Sequence, residues 1–306
     1  MTVPTLATFE LAIVSGLAMG CIYGLVAIAY NLVLAASGVF NMATGAVITT
    51  GVVMSYVLGQ RLSWKVYAVI GGIIAVGAVT GSMAELLGVR RLLAGARSVS
   101  HDTMVSTLGL GLVGEALVAL LFGNDIYPVP SYVSSNSVEV GGVPIPPLYF
   151  VMPAVLLIVA VGLEFLLRRT EFGVVTRAVI ADPEGASLVG ISVATVVQWS
   201  FVAAGIMAAV SGFLAAPLLS ASAGIGESVT VYAFAAAAIG GFGSFRGGVV
   251  GGLIVGLVGS GLTPAFFNSN WSLPLLYVIV VPMLFFRPKG LFGRAGQFGS
   301  EGERRV

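Results

Sequence analysis

Long runs of residues free of Asp, Glu, Lys and Arg dominate the chain, at 11–60, 66–84, 140–163, 185–226 and 247–286. A helix needs about 20 apolar residues to cross the hydrocarbon core, and the longer runs hold two such lengths. The pattern predicts an all-α fold, a polytopic transmembrane helical bundle of about eight or nine spans. The spans fall near 9–30, 46–58, 66–87, 103–122, 149–167, 193–216 and 273–286, with a shorter apolar piece at 229–239 and a glycine-rich run after 246. They form one transmembrane domain over 1–306, whose apolar N-terminal run is too long for a cleaved signal and reads as a retained first span.

Charge interrupts this pattern in few places. Seven of the chain's charges (14 basic, 13 acidic) crowd into 164–184: Glu164, Arg168, Arg169, Glu171, Arg177, Asp182 and Glu184. Each Asp, Lys or Arg at a bilayer centre costs roughly 2.5–3.5 kcal/mol, so this stretch is a water-exposed loop, 168–190. Within it Asp182-Pro183-Glu184 starts a helix: Asp caps, Pro suits the first helical position and Glu complements the dipole. Gly190 stops it, and the implied helix at 183–189 is about 10 Å long, too short to span and suited to the membrane surface. Arg90, Arg91 and Arg97 mark a second cytoplasmic loop, and Arg287, Lys289 and Arg294 place the tail 287–306 on the same side. The proline-rich segment 123–148 carries only Asp125 and Glu139, reads as the outer loop, and has room for a short hairpin or helix.

Polar and glycine residues also interrupt two apolar runs. Asn31, Ser37, Gly38, Asn41, Thr44 and Gly45 break the first, and Gly241, Gly243, Ser244, Arg246 and Gly247 break another. Broken or re-entrant backbone inside a membrane is tolerated only where it faces protein or a wet cavity. The two breaks echo each other: GVFNMATGAVI at 38–48 aligns without gaps on GGFGSFRGGVV at 240–250. Substrate sites often form where two such broken elements of a repeat meet. Gly16, Gly20 and Gly24, like Gly248, Gly252 and Gly256, recur every four residues and offer faces for close helix packing. Glu115 stands inside the fourth span, where a carboxylate is a functional candidate by default.

Composition narrows the classes. Charged residues make up 9% of the chain against about 25% in soluble domains. A net charge of +1 and no basic patch interleaved with aromatics leave no case for nucleic acid. The single cysteine, Cys21, gives neither a disulfide framework nor a thiol metal cluster. The single histidine, His101, stands beside Asp102, which with Thr103 reads as the cap of the fourth span, so no intramembrane enzyme site is built. Lys65 and Lys289 follow Trp64 and Pro288 rather than a glycine, which excludes a phosphate-binding loop. No cofactor, metal or catalytic residue is expected.

Four segments in order, YNLVLAASGVFNMATGAV, TEFGVVTRAVIADPEGASLVGI, AAAAIGGFGSFRGGVVGGLIVG and RPKGLFG, resemble the permease subunits of branched-chain amino acid ABC importers, LivH-type more than LivM-type. The resemblance covers nearly the whole chain. It implies a multi-pass inner-membrane permease of a bacterial cell, working with a second permease subunit (LivM-type or a second copy), two cytoplasmic ATPase subunits and an extracytoplasmic solute-binding protein. Branched-chain or other small amino acids, or similar small polar solutes, would be the cargo.

By the same resemblance the loop 168–190 couples to the ATPase, through Glu171, Phe172, Gly173, Arg177, Asp182, Pro183, Glu184, Ala186, Ser187 and Gly190. Pro183 and Gly185 depart from the family's pattern there, as does the turn at Asn41 to Gly45, where the family commonly has Asn-Phe-Ala-His-Gly. The translocation pathway is expected to involve Asn41, Thr44, Gly45 and Glu115 together with Gly241, Gly243, Ser244 and Gly247. The alternative is a self-sufficient secondary transporter or channel with Glu115 as its ion-coupling site.

Overall fold

The computed structural model describes residues 6–90, 99–133, 137–140, 143–287 and 290–293. Arg91, Arg97, Lys289 and Arg294, four of the residues used above to assign sides, lie outside the described residues. Helix α1, Leu6–Ser37, is followed after a turn by α2, Thr44–Tyr56, which five π-helical residues, Val57–Arg61, prolong. Next come α3 (Val66–Gly88), α4 (Val99–Phe122), a two-stranded hairpin of β1 (Val138–Val140) and β2 (Val143–Ile145), and α5 (Leu148–Arg169). Two short helices, α6 (Glu171–Ala181) and α7 (Pro183–Leu188), lead to α8 (Val193–Leu219). The rest is α9 (Ile225–Gly240), α10 (Phe245–Val255) with a π-helical continuation over Gly256–Leu262, a last turn α11 (Thr263–Phe266), and α12 (Ser272–Phe286).

Seven helical stretches are long and apolar enough to cross a membrane, the sixth running from α10 through α11 and the seventh including α12, and α9 is a shorter apolar helix. The protein is a multi-pass membrane protein. Burial sorts the spans: 72% of the most apolar window of α1 is buried inside the protein, against 17% for α4 and for α12. A helix apolar all round and buried on all sides is a core helix, so α1 is the axis and α4 and α12 are peripheral. Around α1 pack α5, α8, α9 and α10, while α3 lies on α8.

Close approach depends on the two glycine stripes, which face each other. A Cβ at Gly20 would come within 2.8 Å of the Gly252 carbonyl oxygen, and one at Gly16 within 2.9 Å of Gly261 Cα. Between membrane helices the driving force is packing itself, so backbone contact of this kind holds α1 against α10.

Contacts also define two ends of the bundle. At one end Tyr127 and Ala221 exchange backbone hydrogen bonds of 2.8 and 2.7 Å, Tyr56 stacks on Tyr127, and the Arg61 guanidinium lies 5.8 Å from the Tyr56 ring centroid. The Tyr132 hydroxyl donates to the Ser55 carbonyl there, and burial pushes its phenol pKa up. Phe9 meets Phe266 edge-on beside the N-terminal turn of α1. The other end carries α6, α7 and the segment 290–293, whose Leu291 and Phe292 amides cap the Ile239 and Gly240 carbonyls of α9 at 2.9 Å. The segment therefore docks on the α6–α7 end rather than trailing from α12.

Four expectations need correction. The first span runs unbroken to Ser37, because Asn31 finds tertiary partners and need not interrupt the helix. The fourth begins at or before Val99, so Asp102 lies in its first turn rather than at its cap. Helix α8 runs through Pro217 to Leu219, since a proline so near the helix end removes one amide and leaves few later turns to disturb. The stretch after Arg169, expected as loop, is helix α6, started by Thr170, whose hydroxyl accepts from the Gly173 amide at 3.2 Å.

Candidate functional site

Three neighbouring features carry the chemistry: the capped helices of the loop 168–190, a cavity behind them, and the turn between α1 and α2.

Helix α7 is defined at both ends by side-chain and backbone caps. The Asp182 carboxylate accepts from the Gly185 amide at 3.0 Å, with Pro183 at the first helical position and Glu184 in the first turn. At its far end the Gly190 amide bonds the Ser187 carbonyl at 3.1 Å and the Ile191 amide bonds that of Ala186 at 3.0 Å, a Schellman arrangement that Gly190 permits at φ +87°. The helix is one residue shorter than expected, with Val189 as its C-terminal cap. Ala186 is its only buried residue, and it seals a small apolar cluster with Val179 of α6 and Val196 of α8. Leu188 and Val189 are 88% and 77% exposed, so α7 is fixed from below and presents apolar side chains outward. On α6, Glu171, Phe172 and Arg177 are exposed and Gly173 is buried against the end of α5.

Behind these helices lies a cavity of about 510 Å³. Glu164 and Arg168 of α5, Arg177 of α6 and Gly243, Ser244 and Arg246 at the start of α10 line it. Glu164 pairs with Arg168 at 3.1 Å and also with Arg246. The break between α9 and α10 therefore borders the same space as Arg177. Gly241 and Gly243 turn the chain at φ +105° and +78°, and Ser244 caps α10 by accepting from the Gly247 amide at 3.1 Å. Asn31 secures the break from α1: its side-chain oxygen accepts from the Gly243 amide at 3.0 Å and its side-chain nitrogen donates to the Ser244 carbonyl at 2.8 Å.

The turn between α1 and α2 lies against α4 and α9. Asn41 accepts from the Ala43 amide at 3.1 Å, Thr44 donates to the Asn41 carbonyl at 2.8 Å, and the Thr107 hydroxyl accepts from the Met42 amide at 3.2 Å. A Cβ at Gly45 would stand 3.1 Å from Thr230 Oγ1 and 3.5 Å from a Glu115 carboxylate oxygen. Nearby the Gly226 amide donates to Thr49 at 3.0 Å, and the hydroxyls of Tyr30 and Thr230 are buried. Glu115 is half-buried there, in electrostatic reach of Glu227 in the first turn of α9.

The echoing turns meet. Phe40 and Phe242, matched in the alignment of 38–48 on 240–250, pack edge to face at 5.0 Å, with Phe234 at 5.7 and 5.6 Å from them. Each half is a helix, a glycine turn and a second helix that ends in π-helical residues. The structure thus places Gly45 beside Glu115 with Asn41 and Thr44 bonded in the same turn, and gathers Gly241, Gly243, Ser244 and Gly247 at the α6–α7 end, the two turns touching through Phe40 and Phe242. Sequence reasoning missed Asn31, Thr107, Thr230 and Tyr30 as parts of these sites. Asn31 was legible as a polar residue in an apolar run, whereas nothing in the sequence distinguishes Thr230 from a packing threonine.

The family described as branched-chain amino acid transport system, permease component, matches residues 12–284, which include both turns, the cavity walls up to Val249 and helices α6 and α7. The chain belongs to this family. The permease is similar to the high-affinity branched-chain amino acid transport system permease protein LivH of Salmonella typhimurium, 29% identical over 92% of this chain and 94% of that protein. It is similar to BraD of Pseudomonas aeruginosa, a permease protein of the same description, at 27% over 92% and 95%. The D-allose transport system permease protein AlsC of Escherichia coli is 26% identical over 79% of this chain and 72% of that protein. No solved structure matches.

Proposed function

We propose that this permease moves branched-chain or other small amino acids across the bacterial inner membrane, driven by two cytoplasmic ATPase subunits. A second permease subunit and an extracytoplasmic binding protein complete the assembly, and the α6–α7 end and C-terminus face the cytoplasm. The whole chain forms the single translocating domain. One observation carries the reading: α7 is capped at both ends, buries Ala186 against α6 and α8, and exposes Leu188 and Val189. Exposed apolar residues on a braced surface helix are what a partner groove grips.

The cavity supports a route for the movement. Arg177 of α6 and Ser244 at the broken element border one space, so a displacement of α6 and α7 would be felt at the α9–α10 break. Gly241, Gly243, Ser244 and Gly247 thus serve as the gate-side element, while Asn41, Thr44, Gly45 and Glu115 line the path beside α9. Few charges stand on that path, which suits a zwitterionic or neutral solute. Similarity to permeases of both branched-chain amino acid and D-allose systems supports a reading in which the binding protein selects the cargo.

Glu184→Arg reverses a charge on the gripping face without touching a span. ATP-driven uptake by the reconstituted complex should fall at least tenfold while the permease still inserts. Unchanged uptake would remove α7 as the coupling element.

A further inference from the structure

We propose that the cavity between α5, α6 and α10 binds an anionic phospholipid, which braces the coupling helices against the spans. The rim of the cavity carries three guanidinium groups, Arg168, Arg177 and Arg246, and one carboxylate, Glu164. Glu164 is engaged by both Arg168 and Arg246, and among the described residues Arg177 has no ion-pair partner. The lining therefore carries a net charge of +2, with Arg168 and Arg246 held on one carboxylate and Arg177 bordering the same space. Guanidinium forks match phosphate oxygens in pairs.

One helical turn further into the span the same cavity is lined by Ala160 and Leu163 of α5 and Val249 of α10. A free phosphate or a nucleotide would satisfy the rim and leave this apolar wall unfilled. A phospholipid satisfies both, with the phosphate at the arginines and the first methylenes of an acyl chain along Ala160 and Val249. Basic pockets between spans on the cytoplasmic side are the recognised setting for anionic headgroups, because that leaflet is itself negative. Arg177 belongs to α6, whereas Arg168 and Arg246 belong to α5 and α10. One headgroup would thus tie the coupling segment to two spans.

Only the choice of leaflet rests on the orientation proposed above. Lipid binding and transport are separate measurements: no lipid selectivity while Glu184→Arg still abolishes uptake defeats this inference alone, and lipid selectivity present while Glu184→Arg leaves uptake unchanged defeats only the earlier reading.

The test uses the full chain purified in neutral detergent, followed by thermal unfolding with added phosphatidylglycerol, phosphatidylcholine or inorganic phosphate. Phosphatidylglycerol should raise Tm by several degrees, and the other two should not at equal concentration. The concentration giving half the effect should rise at least tenfold in R168Q/R246Q. It should rise similarly in A160F, which fills the apolar wall and keeps every arginine. Equal protection by phosphatidylcholine or by phosphate, or an unaltered response in A160F, would overturn the proposal. Should a variant fail to fold, native mass spectrometry of the unaltered chain in an equimolar lipid mixture decides instead, with preferential retention of phosphatidylglycerol expected and equal retention contradicting it. A benzophenone side chain at position 246, illuminated in native membranes, should give a lipid adduct. An adduct with a partner protein would assign the cavity to that protein.

Discussion

The side-chain amide of Asn31 donates to the carbonyl of Ser244 at 2.8 Å, across 213 positions of sequence. With its oxygen on the Gly243 amide, this one residue of the central helix holds the turn through which α10 borders the cavity beside α6. Asn31 is fully buried, so water cannot replace it.

Replacing it should expose the cost of the two backbone groups. Asn31→Ala leaves a donor and an acceptor unsatisfied, each worth about 1–3 kcal/mol when buried. Asn31→Asp keeps an acceptor for Gly243 but buries a charge and sets a carboxylate oxygen against the Ser244 carbonyl, so it should be no milder than Ala. Thermal unfolding in detergent should rank wild type above both variants; equal stability of all three would show that the bridge does not support the break.

The facing glycine stripes make a sharper prediction because they supply their own control. Gly20→Val drives a side chain into the α10 backbone, and overpacking of that kind costs about 1–3 kcal/mol or more. Gly162 lies in helix α5 with no atom within 4 Å of the place a methyl group would take, so Gly162→Ala should be neutral or gain roughly 0.5–1 kcal/mol. Folded yield of the two variants checks the difference, and similar losses in both would contradict close packing of α1 on α10.

The caps of α7 should be measurable locally. Asp182→Ala removes an acceptor worth about 1 kcal/mol, so exchange of the Gly185 amide should quicken about fivefold, with Asp182→Asn close to wild type. Gly190→Ala puts a side chain at φ +87° and should loosen the other end by about 1–2 kcal/mol.

At the C-terminal segment, Gly290 has φ +70° and lies directly on Gly241, so Gly290→Val should release the two amides that cap α9. Faster hydrogen exchange at Leu291 and Phe292 is the expected result. Protection equal to wild type would mean that the segment docks without this contact.

How much of this was legible in the sequence depended on whether the governing physics was local. The spans were legible because the cost of burying Glu or Arg in lipid acts residue by residue. The start of α7 was legible because Asp182, Pro183 and Gly190 act within one turn. The glycine stripes at Gly16 to Gly24 and Gly248 to Gly256 announced close packing, but a glycine says nothing about which helix approaches it. Helix α6 was missed because Glu171 and Arg177 drew attention as loop charges, while the Thr170 cap is a single hydroxyl. The extent of α1 was misjudged at Asn31, whose partners lie more than 200 residues away. Of the candidate site, the short capped helix α7 was legible almost to the residue, whereas the placement of the two turns required tertiary contacts.

Whether α7 grips an energy-supplying partner on the cytoplasmic side is tested most directly by photocrosslinking in the assembled transporter. A benzophenone side chain placed at Leu188 should crosslink to an ATPase subunit, and one at Tyr67, exposed at the opposite end of the bundle, should not. An ATPase adduct at position 67 with none at position 188 would contradict both the orientation and the role of α7.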